Sequence, residues 1–316
     1  MLPTLRVLVP TLFVTLFACK ADVPATETND ASDVVRATDS TNAGGSGASE
    51  SEFTIWNTDA NPESLTIDGI RVYVTHFGPK LEPSTQDGDG YIATYDADGT
   101  RTGVLVEGLD APKGSELIGN VLYVADVDTL FGFNTTTGER EFAMSFTGQS
   151  EYLNGLTRGK PGELYLSATD AGKVWRVDLS RGGSAEVIAQ IPGANGLTYD
   201  EFRNLLYVVN FIGDDPTAGR VRAVDLATGN VSTVVDYAGM LDGAALVGNN
   251  LYFTDWSPGD GEGKMLHLNL GNEVVTEVAS DSLFAGPADF DVLGDGLALV
   301  PMLTGGRVVA MRLPSN

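Results

Sequence analysis

Four oxygen-bearing side chains recur at nearly regular spacing along this chain: Glu63, Asn154, Asn195 and Asp242. They lie in the steps Pro62-Glu63-Ser64, Leu153-Asn154-Gly155, Ala194-Asn195-Gly196 and Leu241-Asp242-Gly243. Two more steps keep the rhythm with different chemistry, Pro112-Lys113-Gly114 and Ala288-Asp289-Phe290. Read in order, the six polar positions are 50, 41, 41, 47 and 47 residues apart. Brought together, two carboxylates and two amides form a set of hard oxygen donors. Such a set suits Ca²⁺, or else Mn²⁺ or Mg²⁺, and lacks the His and Cys ligands that Zn²⁺ favours. Two carboxylates held close also require a cation, or one of them must take up a proton. A single Asn-Gly is usually only a turn. Its recurrence in register, at one position of a repeat, points instead to a site.

The repeat says which elements must position these residues. Each polar step leads into an apolar segment, then a Leu-Tyr-Val-type segment, then a third and a fourth, with Gly-rich turns between. A period of about 40–50 residues with four strands per unit is the pattern of a β-propeller blade. In the third unit the pattern predicts strands over 153–158, 163–168, 173–178 and 185–191. In the fourth it predicts 195–198, 205–210, 220–225 and 231–237. The sixth unit supplies only three, at 289–293, 307–313 and 297–302 between them, so the segment 53–57 is expected to complete it and close the ring. The fold class is therefore all-β, a six-bladed propeller of four-stranded antiparallel blades around a central channel, over residues 52–316. The loops 78–90, 212–219 and 257–263 follow second strands and fall on the face that carries the six openings.

On these residues the region from about 58 to 314 resembles the senescence-marker-protein-30/gluconolactonase family of six-bladed propellers. The resemblance rests on Glu63 in the first blade, Asn195 in Asn195-Gly196-Leu197, Asp242 in Asp242-Gly243 and Asn154 in Asn154-Gly155-Leu156. It implies one divalent metal on Glu63, Asn195 and Asp242, with Asn154 completing the site or contacting substrate, and with Ca²⁺ first and Mn²⁺, Mg²⁺ or Zn²⁺ as alternatives. The implied activity is hydrolysis of a lactone or small ester, the metal polarising the carbonyl and Asp242 assisting the attacking water. Tyr152 and Gly155 stand where gluconolactonases of the family often carry Arg and Asp, so the resemblance does not extend to sugar-acid specificity.

The remaining polar residues near the openings have plainer alternatives. Lys113 and Tyr152 are expected at the channel rim or facing substrate. Asp289 fits either a supporting acid or a turn cap. His76 ends a second strand on the same face and is a candidate at the rim, although a lone His is more often structural. Asp126, Asn210 and Asp255 end second strands too, and hydrogen bonds to turn amides account for them best. His267 is read as packing within a third strand.

At the N-terminus, Arg6 and an apolar run from Val7 to Phe17 read as a secretory signal over residues 1–18. Leu16-Phe17-Ala18-Cys19 resembles a bacterial lipobox, which makes Cys19, the chain's single cysteine, the expected lipidation site. Residues 19–51 hold no aromatic residue and read as a disordered acidic tether. The expected location is the bacterial cell envelope, lipid-anchored, with the outer membrane favoured by Lys20. With 43 acidic against 19 basic residues the formal charge is −24, which argues against nucleic acid as a partner. The expected partner is a small lactone or ester, with the membrane met only through the anchor and the domain a monomer. The rival expectation is a non-catalytic propeller that binds a ligand or protein and keeps a structural metal.

Overall fold

The computed structural model describes residues 53–180, 183–213, 215–256, 262–280 and 284–314. The expected signal, Cys19 and tether lie outside the described residues. Among the described residues twenty-four strands, β1 to β24 in chain order, form six four-stranded antiparallel sheets. Each sheet is a blade, and the six form one ring.

The inner strands are β2 (Pro62–Asp68), β6 (Pro112–Ile118), β10 (Leu153–Arg158), β14 (Ala194–Asp200), β18 (Leu241–Val247) and β22 (Asp291–Val292). The second strands are β3 (Arg71–His76), β7 (Val121–Asp126), β11 (Glu163–Ala168), β15 (Leu205–Asn210), β19 (Asn250–Asp255) and β23 (Leu297–Met302). Both faces of a second strand lie under a neighbouring blade, so these strands are near-continuously apolar and buried, as in Val72 to Thr75 and Leu206 to Val209. The fourth strands alternate or are exposed, because one of their edges meets solvent.

The core is a set of six apolar layers, one between each pair of adjacent blades. Typical is the layer of Tyr165, Val174, Leu197, Leu206 and Val208 between blades three and four. The ring closes as the sequence predicts. β1 (Thr54–Asn57) pairs antiparallel with β24 (Arg307–Arg312), Trp56 standing opposite Val308, and the sixth sheet runs β1-β24-β23-β22. One expectation needs correcting. The inner strand expected over 289–293 contracts to Asp291–Val292. Pro287 and Pro301 have no N–H for the ladder, and the Asp289 amide bonds to Glu63 O of blade one, 3.1 Å, instead of to its own blade.

Candidate metal centre

In blades one to five the pairing of inner with second strand slips at the polar step. The shifts fall between Pro62 and Ser64, Pro112 and Ser115, Leu153 and Leu156, Ala194 and Leu197, and Leu241 and Ala244. A bulge takes the polar residue out of the ladder and re-aims its side chain, here toward the channel. Glycine after the polar residue has a reason other than a turn. Gly155 is not in a left-handed conformation; a Cβ there would sit 2.7 Å from Asn195 O of the next blade. Gly196 meets Asp242 O in the same way. In blades two to five the opening of the next blade comes so close after the polar residue that a Cβ at Gly114, Gly155, Gly196 or Gly243 would meet its backbone within 2.7 Å.

Glu63, Asn154, Asn195 and Asp242 are all buried, at 3–5 % exposure. Among the described residues eight buried side-chain N or O atoms lack a hydrogen-bond partner, and four of them are Glu63 Oε2, Asn154 Oδ1, Asn195 Oδ1 and Asp242 Oδ1. An orphaned buried acceptor costs about 1–3 kcal/mol, more when charged, and these four belong to residues at the openings of four inner strands of one ring. The amides are oriented to leave their oxygens unused. Asn154 Nδ2 donates to Thr169 Oγ1 at 2.9 Å, and Thr169 Oγ1 donates on to Ala194 O at 2.9 Å. The Asn195 amide lies beside the Asp242 carboxylate and favours its charged form. Among the described residues no three His, Cys, Asp or Glu side chains gather as a cluster; the set is two carboxylates completed by two amides.

The electrostatics agree. Burial pushes the Asp242 carboxyl up to about 7, the Trp256 indole and the Asn195 amide beside it pulling the other way. Glu63 is raised well above the carboxylate range by burial, then by Asp242 and Asp289, with Lys113 opposing. Asp289 is raised by burial and by Asp242; Ser64 Oγ donates to its Oδ2 at 3.4 Å. These acids feel one another, which places them around one channel with too little cationic charge to balance them.

The residues expected at the rim divide. Lys113 is not at an exposed rim: it is wholly buried, its Nζ donating to Pro83 O at 2.7 Å and Ala111 O at 3.0 Å. That ammonium also lies over the Phe77 and Tyr152 rings, 5.3 and 4.4 Å from their centroids, and burial lowers it to about 8. Tyr152 is half-buried, and burial together with Glu63 and Asp242 raises its hydroxyl well above the usual range. His76 does not face the channel. Alternation along β3 turns Thr75 toward blade two, where its hydroxyl bonds Lys113 O, and turns His76 away. His76 instead stacks on Tyr91 at 4.8 Å with Nδ1 against Ala60 O, and burial lowers it to about 4. Asp126 accepts the Asp110 and Ala111 amides, Asn210 accepts Arg220 N–H, and Asp255 accepts Met240 N–H, so all three hold turns. His267 packs on Tyr252 and bonds Asn250 and Thr276.

Around the mouth Phe77, Ala111, Val127, Ala288 and Leu303 form a seventh apolar cluster with Trp256 against it. The loop between Phe77 and Asp89 is mostly exposed, and its Pro83 carbonyl is held by the Lys113 ammonium. Lys113→Met keeps the stem and removes the donor. It is expected to raise amide exchange over residues 79–88 roughly tenfold or more, because a hydrogen bond to a charged group contributes about 1.5–3 kcal/mol. Unchanged exchange in that loop would show that Lys113 does not hold it.

No protein-family model matches the chain, and a search of curated proteins finds no match. Solved structures do match. The calcium-binding protein regucalcin from Agrobacterium tumefaciens aligns with a TM-score of 0.60 at 15 % identity, over 80 % of this chain and 90 % of that one. Virginiamycin B lyase from Staphylococcus aureus aligns at 0.57 and 16 %, over 84 % of this chain and 100 % of that one. A candidate 6-phosphogluconolactonase from Bacteroides fragilis aligns at 0.52 and 14 %, over 77 % of each. The shared property is the fold. This chain is a six-bladed β-propeller.

Proposed function

We propose that this propeller binds one divalent cation through Glu63, Asn154, Asn195 and Asp242 and uses it to hydrolyse a lactone or small ester. The observation that supports the reading is that one buried oxygen of each of these residues has no partner, each residue standing at the opening of an inner strand of the ring. Ca²⁺ suits the all-oxygen set best, with Mn²⁺, Mg²⁺ or Zn²⁺ as alternatives, and the calcium-binding neighbour supports that choice. A divalent ion bound there supplies Lewis-acid polarisation of a carbonyl and acidifies water. The chain's own groups supply the rest. Asp242 would also be placed to take a proton from attacking water. Tyr152 stays protonated and can donate to a substrate oxygen. The apolar cluster around Phe77 and Trp256 excludes bulk water from the mouth. The likeness in motifs to the senescence-marker-protein-30/gluconolactonase family supports the same assignment. The Leu16-Phe17-Ala18-Cys19 motif supports a lipid-anchored place in the bacterial cell envelope, with the domain held off the membrane by residues 20–51.

One observation favours a second reading, a non-catalytic propeller with a structural cation. The four oxygens are enclosed, and Lys113 pins a loop at the mouth. Chelated protein reloaded with each ion and assayed on lactones and aryl esters separates the two. The hydrolase reading expects turnover with one ion and a fall of about 10²–10⁴-fold in Asp242→Asn. Metal-dependent stabilisation without turnover on any substrate would establish the structural role instead.

A further inference from the structure

Hydroxyls on the second strands of alternate blades stand next to the ring in a way the proposed chemistry has not used. In blade three, Ser167 Oγ accepts the Gly155 amide at 2.8 Å and donates to Asn195 O at 2.6 Å. Two residues on, Thr169 Oγ1 accepts Asn154 Nδ2 at 2.9 Å and donates to Ala194 O at 2.9 Å. Both hydroxyls therefore bridge blade three to blade four, and both act at the two asparagines. Ser167 replaces the ladder partner that the bulge between Leu153 and Leu156 removes. It also fixes the backbone of the facing step. Thr75 repeats the device between Ser64 N and Lys113 O, and Thr254 repeats it between Gly243 N and Ala288 O. Blades two, four and six carry Ala125, Val209 and Pro301 at the equivalent position. The clasps thus join blades in pairs, one to two, three to four and five to six.

We propose that Thr169 and Ser167 are the positioning residues that make Asn154 and Asn195 oxygen ligands. This rests on the cation reading of the ring. Thr169 matters for a specific reason. Its own proton is committed to Ala194 O, so its oxygen can only accept, and it holds the Asn154 amide with Nδ2 outward and Oδ1 toward the channel. Valine has nearly the same shape and no acceptor. In Thr169→Val the N–H₂ group loses its partner, and an amide free to flip presents a donor to the cation. Ser167 acts on the backbones instead, setting the distance between the two asparagine Cα atoms through the Gly155 amide and Asn195 carbonyl.

Calorimetric titration of the full chain with Ca²⁺ and with Mn²⁺ tests this, beside the melting temperature of each chelated protein. Thr169→Val is expected to weaken cation binding about 10–100-fold, the usual scale for groups that orient ligands. Thr169→Ser, which restores the acceptor, should bind within about threefold of the parent on the same scale. Ser167→Ala should also weaken binding, with some loss of stability in the chelated form because it is buried. The metal-free melting temperature of Thr169→Val should fall modestly, since Asn154 Nδ2 and Ala194 O lose their partner, and that of Thr169→Ser should stay close to the parent. Equal cation affinity in Thr169→Val and the parent would overturn the positioning role while leaving the ring's cation reading intact. Loss of affinity that Thr169→Ser fails to restore would assign the effect to packing and overturn it as well. A parent protein that binds neither ion would sink the ring assignment, and this inference with it.

Discussion

Added Ca²⁺ should stabilise the protein far more at pH 7 than at pH 4, because burial raises the Asp242 and Glu63 carboxyls and the ion must displace their protons. The Asp242 carboxyl sits at about 7 in the fold because burial disfavours its charged form, against about 3.9 in an unfolded chain. Between those values the folded, metal-free protein keeps a proton that the unfolded chain has released. That contribution favours folding on the acid side and is lost as the pH rises through 7. Glu63 and Asp289 act in the same direction, raised by burial and by their neighbouring acids. His76 opposes them. Burial lowers it to about 4 against about 6.5 unfolded, so its contribution is present above 6.5 and lost as the pH falls through 4. The metal-free profile is thus a sum of opposing slopes, whereas the cation competes with protons only on the ring acids. The quantity to measure is the difference in melting temperature with and without Ca²⁺ across pH 4–7. It should widen steadily toward neutral pH in the parent and stay small in Asp242→Asn. A difference independent of pH would mean that the ring carboxylates are not the ligands.

The residues that named the ring were legible because they repeat. Glu63, Asn154, Asn195 and Asp242 stand at one structural position of a 41–50-residue period, and a bulge at that position gives them a common direction. Strands in blades three and four were readable to within a few residues for the same reason: Gly-rich turns bound short apolar runs that both faces bury. What the sequence hid is the environment of each side chain. Lys113 holds the same position as the four oxygens and was expected at the channel rim or facing substrate; a cradle of two carbonyls and two rings, drawn from segments as far apart as Phe77 and Tyr152, lets an ammonium be buried. His76 could not be separated from a channel residue by spacing alone, since a shift of one place along a strand reverses the face. Thr75, Ser167, Thr169 and Thr254 were overlooked because a hydroxyl in a strand has no distinctive spacing. Their alternation in odd-numbered blades becomes a signal only once the blades are aligned.

Trp56→Ala is expected to cost about 3–5 kcal/mol, the range for removing a large buried aromatic side chain. The reason lies at the seam of the ring. Trp56 is 6 % exposed and packs with Leu299 and Val308 of blade six against Val74 and Tyr95 of blade one. Gly99, held at φ +87°, lets the indole lie against its backbone; a Cβ there would collide with the ring. Gly99→Ala should therefore be destabilising too, through both clash and a left-handed backbone that alanine rarely adopts. β1 is a four-residue strand that closes the ring by pairing with β24, and losing its anchor leaves the edge of β24 open to another strand. Urea unfolding would measure the cost, and amide exchange at Val308 and Ala310 would locate it. A change below about 1 kcal/mol with those amides still protected would show that closure does not depend on Trp56. The consequence reaches the site, because the same seam carries the hydrogen bond from Asp289 N to Glu63 O. If the seam frays, Glu63 loses its fixed place relative to Asp242, and cation affinity should fall even under conditions where most of the protein remains folded.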